Sequence, residues 1–520
     1  MNAAASRKPA GGSACSFAPN LSSTSASSCK WFRAHRKGYT IFSAGHQQGG
    51  LSFPADLGWP FASVFGNEQA APVAAAAAAL GPDKYATVLG MSLEFYDAQR
   101  SGKLPDKRIS WRGDSLTSDR TPAGTDITGG WYDAGDNVKF QLPGAWTASM
   151  LAWGLLQFRD GFQAAGRYEH GLATLRWATD FFIRSYYAPE RLVGQVGNGA
   201  VDHSSWQRPE DVPGQSPVYV LDPRSPGSDV AGNIAAVLAQ ASIVFRQREP
   251  AYAAKCLAVA RSVFDFGTKY RGKYSDSTSD AGAFYKSSNY LDDLAWAAVW
   301  LHKATGQASY LAQAKVLMAQ HVAQDSRPWA NIDWDNNFWT TALMLGRLGV
   351  KEYAQFPRQF VDAWLYGRNG VIFTPKGLAW HGDWGALRHT GNALFYMLSY
   401  AKDDAGLRKQ ILCFAQQQVA YILGERTGQS FVVGYGPNFP KQPHHRAASC
   451  RAGQQCGWAA LDSAAANPNI IRGALVGGPD ASDRYSDTRR NFIQNEVAID
   501  YNAGFTGVLA ALVGSTRMQC

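Results

Sequence analysis

From Lys84 onward the chain repeats one pattern: a stretch with apolar positions three and four residues apart, then a turn or loop, then another such stretch. Leu291, Leu294, Ala298 and Leu301 show the spacing, which lines one face of an α-helix. The pattern predicts helices over 84–99, 144–158, 169–185, 230–246, 250–267, 291–303, 308–321, 337–347, 353–366, 387–400, 405–422 and 498–514. Between them run loops rich in Gly, Pro, Asn and Asp, the longest at 103–135, 194–229, 268–290 and 424–495, and strand signals are few and short. A dozen helices joined by alternating short turns and long loops suits antiparallel pairs arranged in a ring. The long loops would then gather at one end and build a site. The expectation is one all-α domain over residues 83–520.

Composition narrows what that site does. With 46% hydrophobic residues and 17 Trp the chain can bury a sizeable core. That many Trp exceeds the need of a core, so about half are expected there and the rest in a groove, where flat aromatic faces suit sugar rings. Six of the nine excess positive charges (Arg7, Lys8, Lys30, Arg33, Arg36, Lys37) fall in residues 1–55, which hold no acid before Asp56. The remaining +3 forms no basic stripe, so a nucleic-acid partner is not expected.

No run of about 20 apolar residues exists to cross a membrane. Residues 1–50 are basic, acid-free and rich in Ser and Ala, like an organellar transit peptide, and Ala74–Leu80 could form part of a secretory apolar region. Residues 1–82 are therefore read as a leader. Of the seven Cys, only Cys450 and Cys456 are close, in a polar, Gly-containing loop. A disulfide staple in an oxidising compartment is expected there, and the spacing suits no zinc template. A secreted protein follows from that reading.

Two acidic clusters lie far apart in the chain. The first is Gly129-Gly-Trp-Tyr-Asp133-Ala-Gly-Asp136-Asn, whose glycines permit a tight loop and whose i, i+3 spacing can aim two carboxylates at one water. One acid would abstract the proton while the other orients the water; the same residues would also suit a calcium loop or the cap of the next helix. The second is Tyr485-Ser-Asp487-Thr-Arg-Arg-Asn-Phe492-Ile-Gln-Asn495-Glu496-Val-Ala-Ile-Asp500-Tyr501. There Glu496 precedes an apolar helix, where aromatic surroundings would raise its pKa and make it an acid, or where it would simply favour the helix N-terminus. Between them, Phe431-Val-Val-Gly-Tyr-Gly-Pro-Asn-Phe-Pro-Lys-Gln-Pro-His444-His445-Arg446 offers hydrogen-bond donors on a Pro-bounded loop. Two opposed carboxyl groups are the minimum equipment for hydrolysing a glycosidic bond.

Together these segments resemble glycoside hydrolase family 9, the inverting cellulases. The resemblance covers about residues 84–514 and includes Trp111-Arg-Gly-Asp114-Ser, Asp202-His203-Ser-Ser-Trp206, Arg208-Pro-Glu-Asp211 and Ser225-Pro-Gly-Ser-Asp229-Val. It implies an (α/α)6 barrel with an open cleft, internal cleavage of β-1,4-glucan, and no cofactor for the chemistry. It assigns Asp136 as general base, Asp133 as its water-orienting partner and Glu496 as general acid. His444 and Arg446 would hold the sugar at the cleavage point, and Asp487 would support the site. His203, Trp206, Trp334, Trp384, Arg388 and Tyr501 match positions that line the family's cleft. Inversion implies carboxyl groups about 6.5–9.5 Å apart.

The family often carries calcium, and Ser288-Asn289-Tyr-Leu-Asp292-Asp293 stands where that ion is held, with Asp335 a distant ligand. Asp293 replaces the expected Glu and Asn289 the usual Gly, so an ordinary helix cap is the competing reading. His389 stands where an aromatic residue, usually Tyr, is expected, Val212 replaces Met and Ile499 replaces Thr. The Cys450/Cys456 loop resembles that of animal-type members, and no segment resembles the cellulose-binding or immunoglobulin-like modules of other members, so tight binding to crystalline cellulose is not expected. A monomeric endo-β-1,4-glucanase on soluble or amorphous glucan is the leading expectation. The alternatives are action on mixed-linkage glucan, xyloglucan or chitosan-derived oligomers, exo-action, and a glucan-binding protein without turnover.

Overall fold

A computed structural model describes residues 82–325, 329–514 and 520. Twelve long helices occur among them: α1 (Pro82–Ala98), α2 (Gln141–Gln157), α3 (Tyr168–Ser185), α4 (Ser228–Val244), α5 (Pro250–Lys269), α6 (Leu291–Thr305), α7 (Ala308–Gln324), α8 (Phe338–Arg347), α9 (Phe356–Tyr366), α10 (Ala386–Tyr400), α11 (Arg408–Ile422) and α12 (Ile499–Gly514). Each predicted helix has its counterpart. The starts moved most: α2 begins three residues early, because Pro143 in a first turn gives up an N–H that has no partner inside the helix anyway. The expected leader, residues 1–82, lies outside the described residues except for Pro82.

The helices sort into two rings by composition. In α4 every residue but Ile243 is buried, and in α12 every residue but Gly514. A helix apolar on all sides must be enclosed by others. By contrast α5 buries only Ala253, Cys256, Ala260, Val263, Phe264, Phe266 and Gly267, a single stripe. The even-numbered helices accordingly form an inner ring, α2 against α4, α4 against α6, α6 against α8, α10 against α12 and α12 against α2. The odd-numbered helices pack outside them. This is the (α/α)6 barrel.

An aromatic plug fills the ring. Trp153 of α2 lies 5.4 Å from Trp296 of α6 and 4.9 Å from Phe395 of α10, ring centre to ring centre. Trp296 also donates from Nε1 to Ser149 Oγ at 2.9 Å. Helix backbones approach closely where a side chain is missing: a Cβ on Gly504 of α12 would stand 2.6 Å from Asn392 Cα on α10.

The N-terminal ends of the inner helices meet at one end of the barrel through a buried polar tier. Asn337, preceding α8, donates from Nδ2 to Asp293 Oδ1 of α6 (2.8 Å) and Asn233 Oδ1 of α4 (3.1 Å). Arg388 of α10 pairs with Asp500 of α12 at 3.0 Å, and Ile499 N at the start of α12 donates to Asp133 O, just before α2 (2.9 Å). A four-stranded antiparallel sheet, β1 (Lys139–Phe140), β2 (Tyr186–Ala188), β3 (Arg191–Val196) and β4 (Val218–Leu221), ties the loops on the α2 side together. Lys139 is fully buried there and paired with Asp119 at 3.0 Å.

Two disulfides join described residues. The expected Cys450–Cys456 staple is formed, and a second bond, Cys413–Cys520, ties α11 to the C-terminal residue. Cys256 is free and buried. No described helix is long and apolar enough to cross a membrane. Removing one ring from the plug should be costly: Trp296→Ala is expected to destabilise the fold by about 3–5 kcal/mol. Calorimetric melting that leaves the transition where wild type has it would show that the plug does not hold the ring.

Candidate active site

The segment 133–136 bends over a backbone contact that only Gly tolerates. Arg446 N donates to Gly135 O at 3.0 Å, and a Cβ on Gly135 would fall 2.3 Å from His444 O. The 444–446 segment in turn bridges to the second acidic cluster, because His444 N donates to Asn495 O at 2.8 Å and His444 forms an isolated β-bridge with Glu496. This short segment, which turns into a helix at Arg446, therefore sits between the two acidic clusters and holds both. Gln99 braces the same junction. Its Nε2 donates to Ala134 O (2.7 Å) and its Oε1 accepts from His445 Nε2 (2.9 Å).

The carboxylates differ in their surroundings. Asp133 is 2% exposed, its Oδ2 accepts from the Tyr285 hydroxyl, and its Oδ1 has no protein partner. Burial, then the neighbouring Asp136 and Asp500, push its pKa well up. Asp136 accepts from Ala134 N at 3.3 Å. Burial and Asp202 push its pKa up while Arg446 and backbone N–H groups pull it down. Glu496 is partly exposed, and burial with Asp136 and Asp500 pushes its carboxyl up to about 8, against the opposing pull of Trp384 and Arg388. A carboxyl so placed keeps its proton at neutral pH.

His444 donates from Nδ1 to the Arg489 carbonyl, so its Nε2 is left as an acceptor. Burial, with Arg446 and His203 nearby, lowers its pKa to about 4, and the ring is neutral. His445 takes no such role: its Nδ1 accepts from Ala448 N and its Nε2 is bound to Gln99, which makes it a structural cap. Arg446 is buried and pairs with Asp202 at 2.7 Å.

Asp487 stands back from the reacting groups. It accepts from Lys441 N (2.6 Å), Gln442 N (3.0 Å) and Asn495 Nδ2 (3.0 Å), fixing the residue next to Glu496. Trp384 is 45% exposed and packs 5.1 Å from Phe492. Trp334 is partly exposed and meets the ring of Tyr285 edge-on at 4.9 Å. His203 is exposed, with Nδ1 on Gly199 O at 2.8 Å. Arg388 lies 5.4 Å from the Tyr501 ring, and Tyr501 is buried beneath the acids. Trp206 is 3% exposed, with Nε1 on Ser449 Oγ at 2.9 Å, so it backs His444 and Arg446 rather than offering an open platform. His389 is buried and kept neutral, its Nε2 accepting from Arg388 Nη2 at 3.3 Å.

The candidate calcium residues behave unequally. Asn289 Oδ1 accepts from Tyr290 N and Leu291 N, a helix cap. Asp293 is turned towards Asn233 and Asn337 in the barrel, away from that loop. Asp292 is buried, its Oδ1 takes no hydrogen bond but lies 3.6 Å from His321 Nδ1, and Asp335 accepts from Ser288 N at 2.8 Å. A separate set, Asp136, Asp202 and His203, brings ligand atoms within 4.8 Å of one another. Arg446 already supplies the cation for that set.

Sequence reasoning missed Tyr285, Asp202, Gln99, Asn495 and Arg489 as site residues. Asp202 carried a signal, as the first residue of the Asp202–Trp206 segment, and so did Arg489 and Asn495, which lie within the Tyr485–Tyr501 segment.

A model of glycosyl hydrolase family 9 matches residues 85–509. Endoglucanase A of Bacillus pumilus is 40% identical over 441 residues, which are 82% of this chain and 66% of that protein, so this chain spans just under two thirds of that relative's length. The structure of an endoglucanase from the termite Nasutitermes takasagoensis superposes with a TM-score of 0.79 at 45% identity, covering 83% of this chain and 99% of that one. Cellulase Cel9M of C. cellulolyticum, solved in complex with cellobiose, superposes with a TM-score of 0.77 at 35% identity, covering 82% and 98%. With the barrel, the paired acidic clusters and these matches in agreement, the chain belongs to glycosyl hydrolase family 9.

Proposed function

We propose that the protein is an endo-acting β-1,4-glucanase that cleaves with inversion. The observation that carries this reading is the 444–446 segment, which holds a proton-retaining Glu496 on one side and the Asp133/Asp136 pair on the other. Glu496 gives its proton to the leaving glycosidic oxygen. Asp136 takes a proton from the attacking water, and the unpartnered Oδ1 of Asp133 accepts the second O–H and orients that water. His444 Nε2 and the Arg446 guanidinium bind sugar hydroxyls beside the scissile bond. After release, Glu496 regains a proton from solvent and Asp136 loses one. The cellobiose complex of the related cellulase supports a β-glucan substrate. An exported protein fits the Cys450–Cys456 staple and a polymeric substrate.

Cellohexaose with early product anomers followed by NMR tests the reading. Internal cuts giving α-anomers are expected, and β-anomers would overturn inversion. Glu496→Gln and Asp136→Asn are each expected to lower kcat by about 10²–10⁴-fold. Retention of turnover within about tenfold of wild type would remove that residue from its role.

The pH profile should fall on its alkaline side near pH 8, where Glu496 loses its proton, and Glu496→Gln should erase that limb. Stability follows the same group. Its carboxyl titrates near 4.5 when unfolded and about 8 when folded, so the unfolded state releases the proton first and stability declines as pH rises between those values. A melting temperature flat from pH 5 to 8 would contradict this.

A structural calcium ion would be held by Ser288, Asp292 and Asp335, without Asp293. Asp292 Oδ1, which takes no hydrogen bond and faces only His321 Nδ1 at 3.6 Å, fits a cation ligand, and the ion would fix the 288–291 turn and take no part in hydrolysis. EDTA is expected to lower the melting temperature and calcium to restore it; no change in melting or activity would dismiss the ion.

A further inference from the structure

Five aromatic rings form an unbroken row across the acid end of the barrel. Trp384 lies 5.1 Å from Phe492, Phe492 lies 6.0 Å from His444, His444 lies 5.0 Å from Trp206, and Trp206 lies 6.4 Å from Trp458. The two ends of the row are open, Trp384 at 45% exposure and Trp458 at 48%, while Trp206 within it is buried. The Trp458 indole is covered on the side that meets Trp206 and leaves the rest of its apolar surface in water, where burial against a ligand would be favourable. We propose that Trp458 is a sugar-stacking platform of an outlying subsite, and takes one β-linked glucosyl unit of a long chain. This rests on the endoglucanase reading and extends it.

The ligand class follows from ring chemistry. A β-glucosyl unit carries its substituents equatorially, so both faces present C–H groups that pack on an indole. The platform is also held in register with the reacting centre. Trp458 opens a short helix, Trp458–Asp462, directly after the Cys450–Cys456 staple. Arg489 Nη1 donates to Ala460 O of that helix at 3.0 Å, while the Arg489 carbonyl accepts from His444 Nδ1. One residue thus fixes both the helix carrying the platform and the histidine beside the scissile bond. Arg490 pairs with Asp462 at the far end of the helix.

The test compares Trp458→Ala and Trp458→Phe with wild type on cellotriose through cellohexaose, with circular dichroism and melting to show that each variant is folded. For Trp458→Ala the KM on cellohexaose should rise roughly three- to tenfold, with the rise shrinking as the substrate shortens. Trp458→Phe should recover much of it. An equal rise at every length, or none, in a folded variant would overturn the platform. If wild type fails to cleave cellohexaose, the functional reading fails instead. Calorimetric binding of cellohexaose to Glu496→Gln, with and without Trp458→Ala, then decides the platform separately. Weaker binding of the double variant sustains it, and equal binding removes it.

Discussion

Everything at the acid end of this barrel answers to one electrostatic conflict. Asp136 and Asp500 both raise the pKa of Asp133 and of Glu496, in surroundings where burial already disfavours charge. Left alone, such a cluster would part or take up protons indiscriminately. Two buried arginines oppose it, Arg388 on Asp500 and Arg446 on Asp202. Five of the inner helices, α4, α6, α8, α10 and α12, present their N-terminal ends to the polar tier beside them, where the helix dipole favours negative charge. The remaining repulsion orders the protons, with Glu496 pushed up to about 8 and Asp136, held lower by Arg446 and backbone N–H groups, to about 7.

That sorting depends on rigid support behind the acids. Asp487 touches no acid, yet it clamps two backbone N–H groups and Asn495, and Asn495 O receives the His444 amide. Gln99, from the loop after α1, couples Ala134 to His445. The active end is a set of loops cross-braced mostly by backbone groups, standing on a ring whose aromatic interior does not yield.

Much of this was legible in the chain. Helices buried on all sides and helices buried on one stripe both show apolar periodicity, so all twelve were visible. Their division into two rings followed once α4 and α12 could be seen as apolar throughout. The acids were legible because they sit in short dense segments. Tyr285 and Arg489 were not, because a hydroxyl on Asp133 and a carbonyl on His444 are relations between distant loops that no local pattern encodes. That the Trp206 ring is covered was not legible, because an indole in a signature segment looks the same whether its ring is open or buried. Asp293 was grouped with calcium by its neighbours in sequence, whereas successive helical residues point in different directions and this one faces α4. Cys413 and Cys520 gave no hint of pairing, being separated by 107 positions.

The order of the chain gives the ring a temporal meaning. The Asp133/Asp136 segment precedes α2, the first helix of the inner ring, whereas Glu496 precedes α12, and the two are joined where Ile499 N meets the Asp133 carbonyl. A chain emerging from the ribosome thus presents the first acidic segment long before the second. Packing α12 against α2 closes the ring and brings Glu496 to the Asp133/Asp136 pair in one event, so neither segment forms the site without the whole barrel between them.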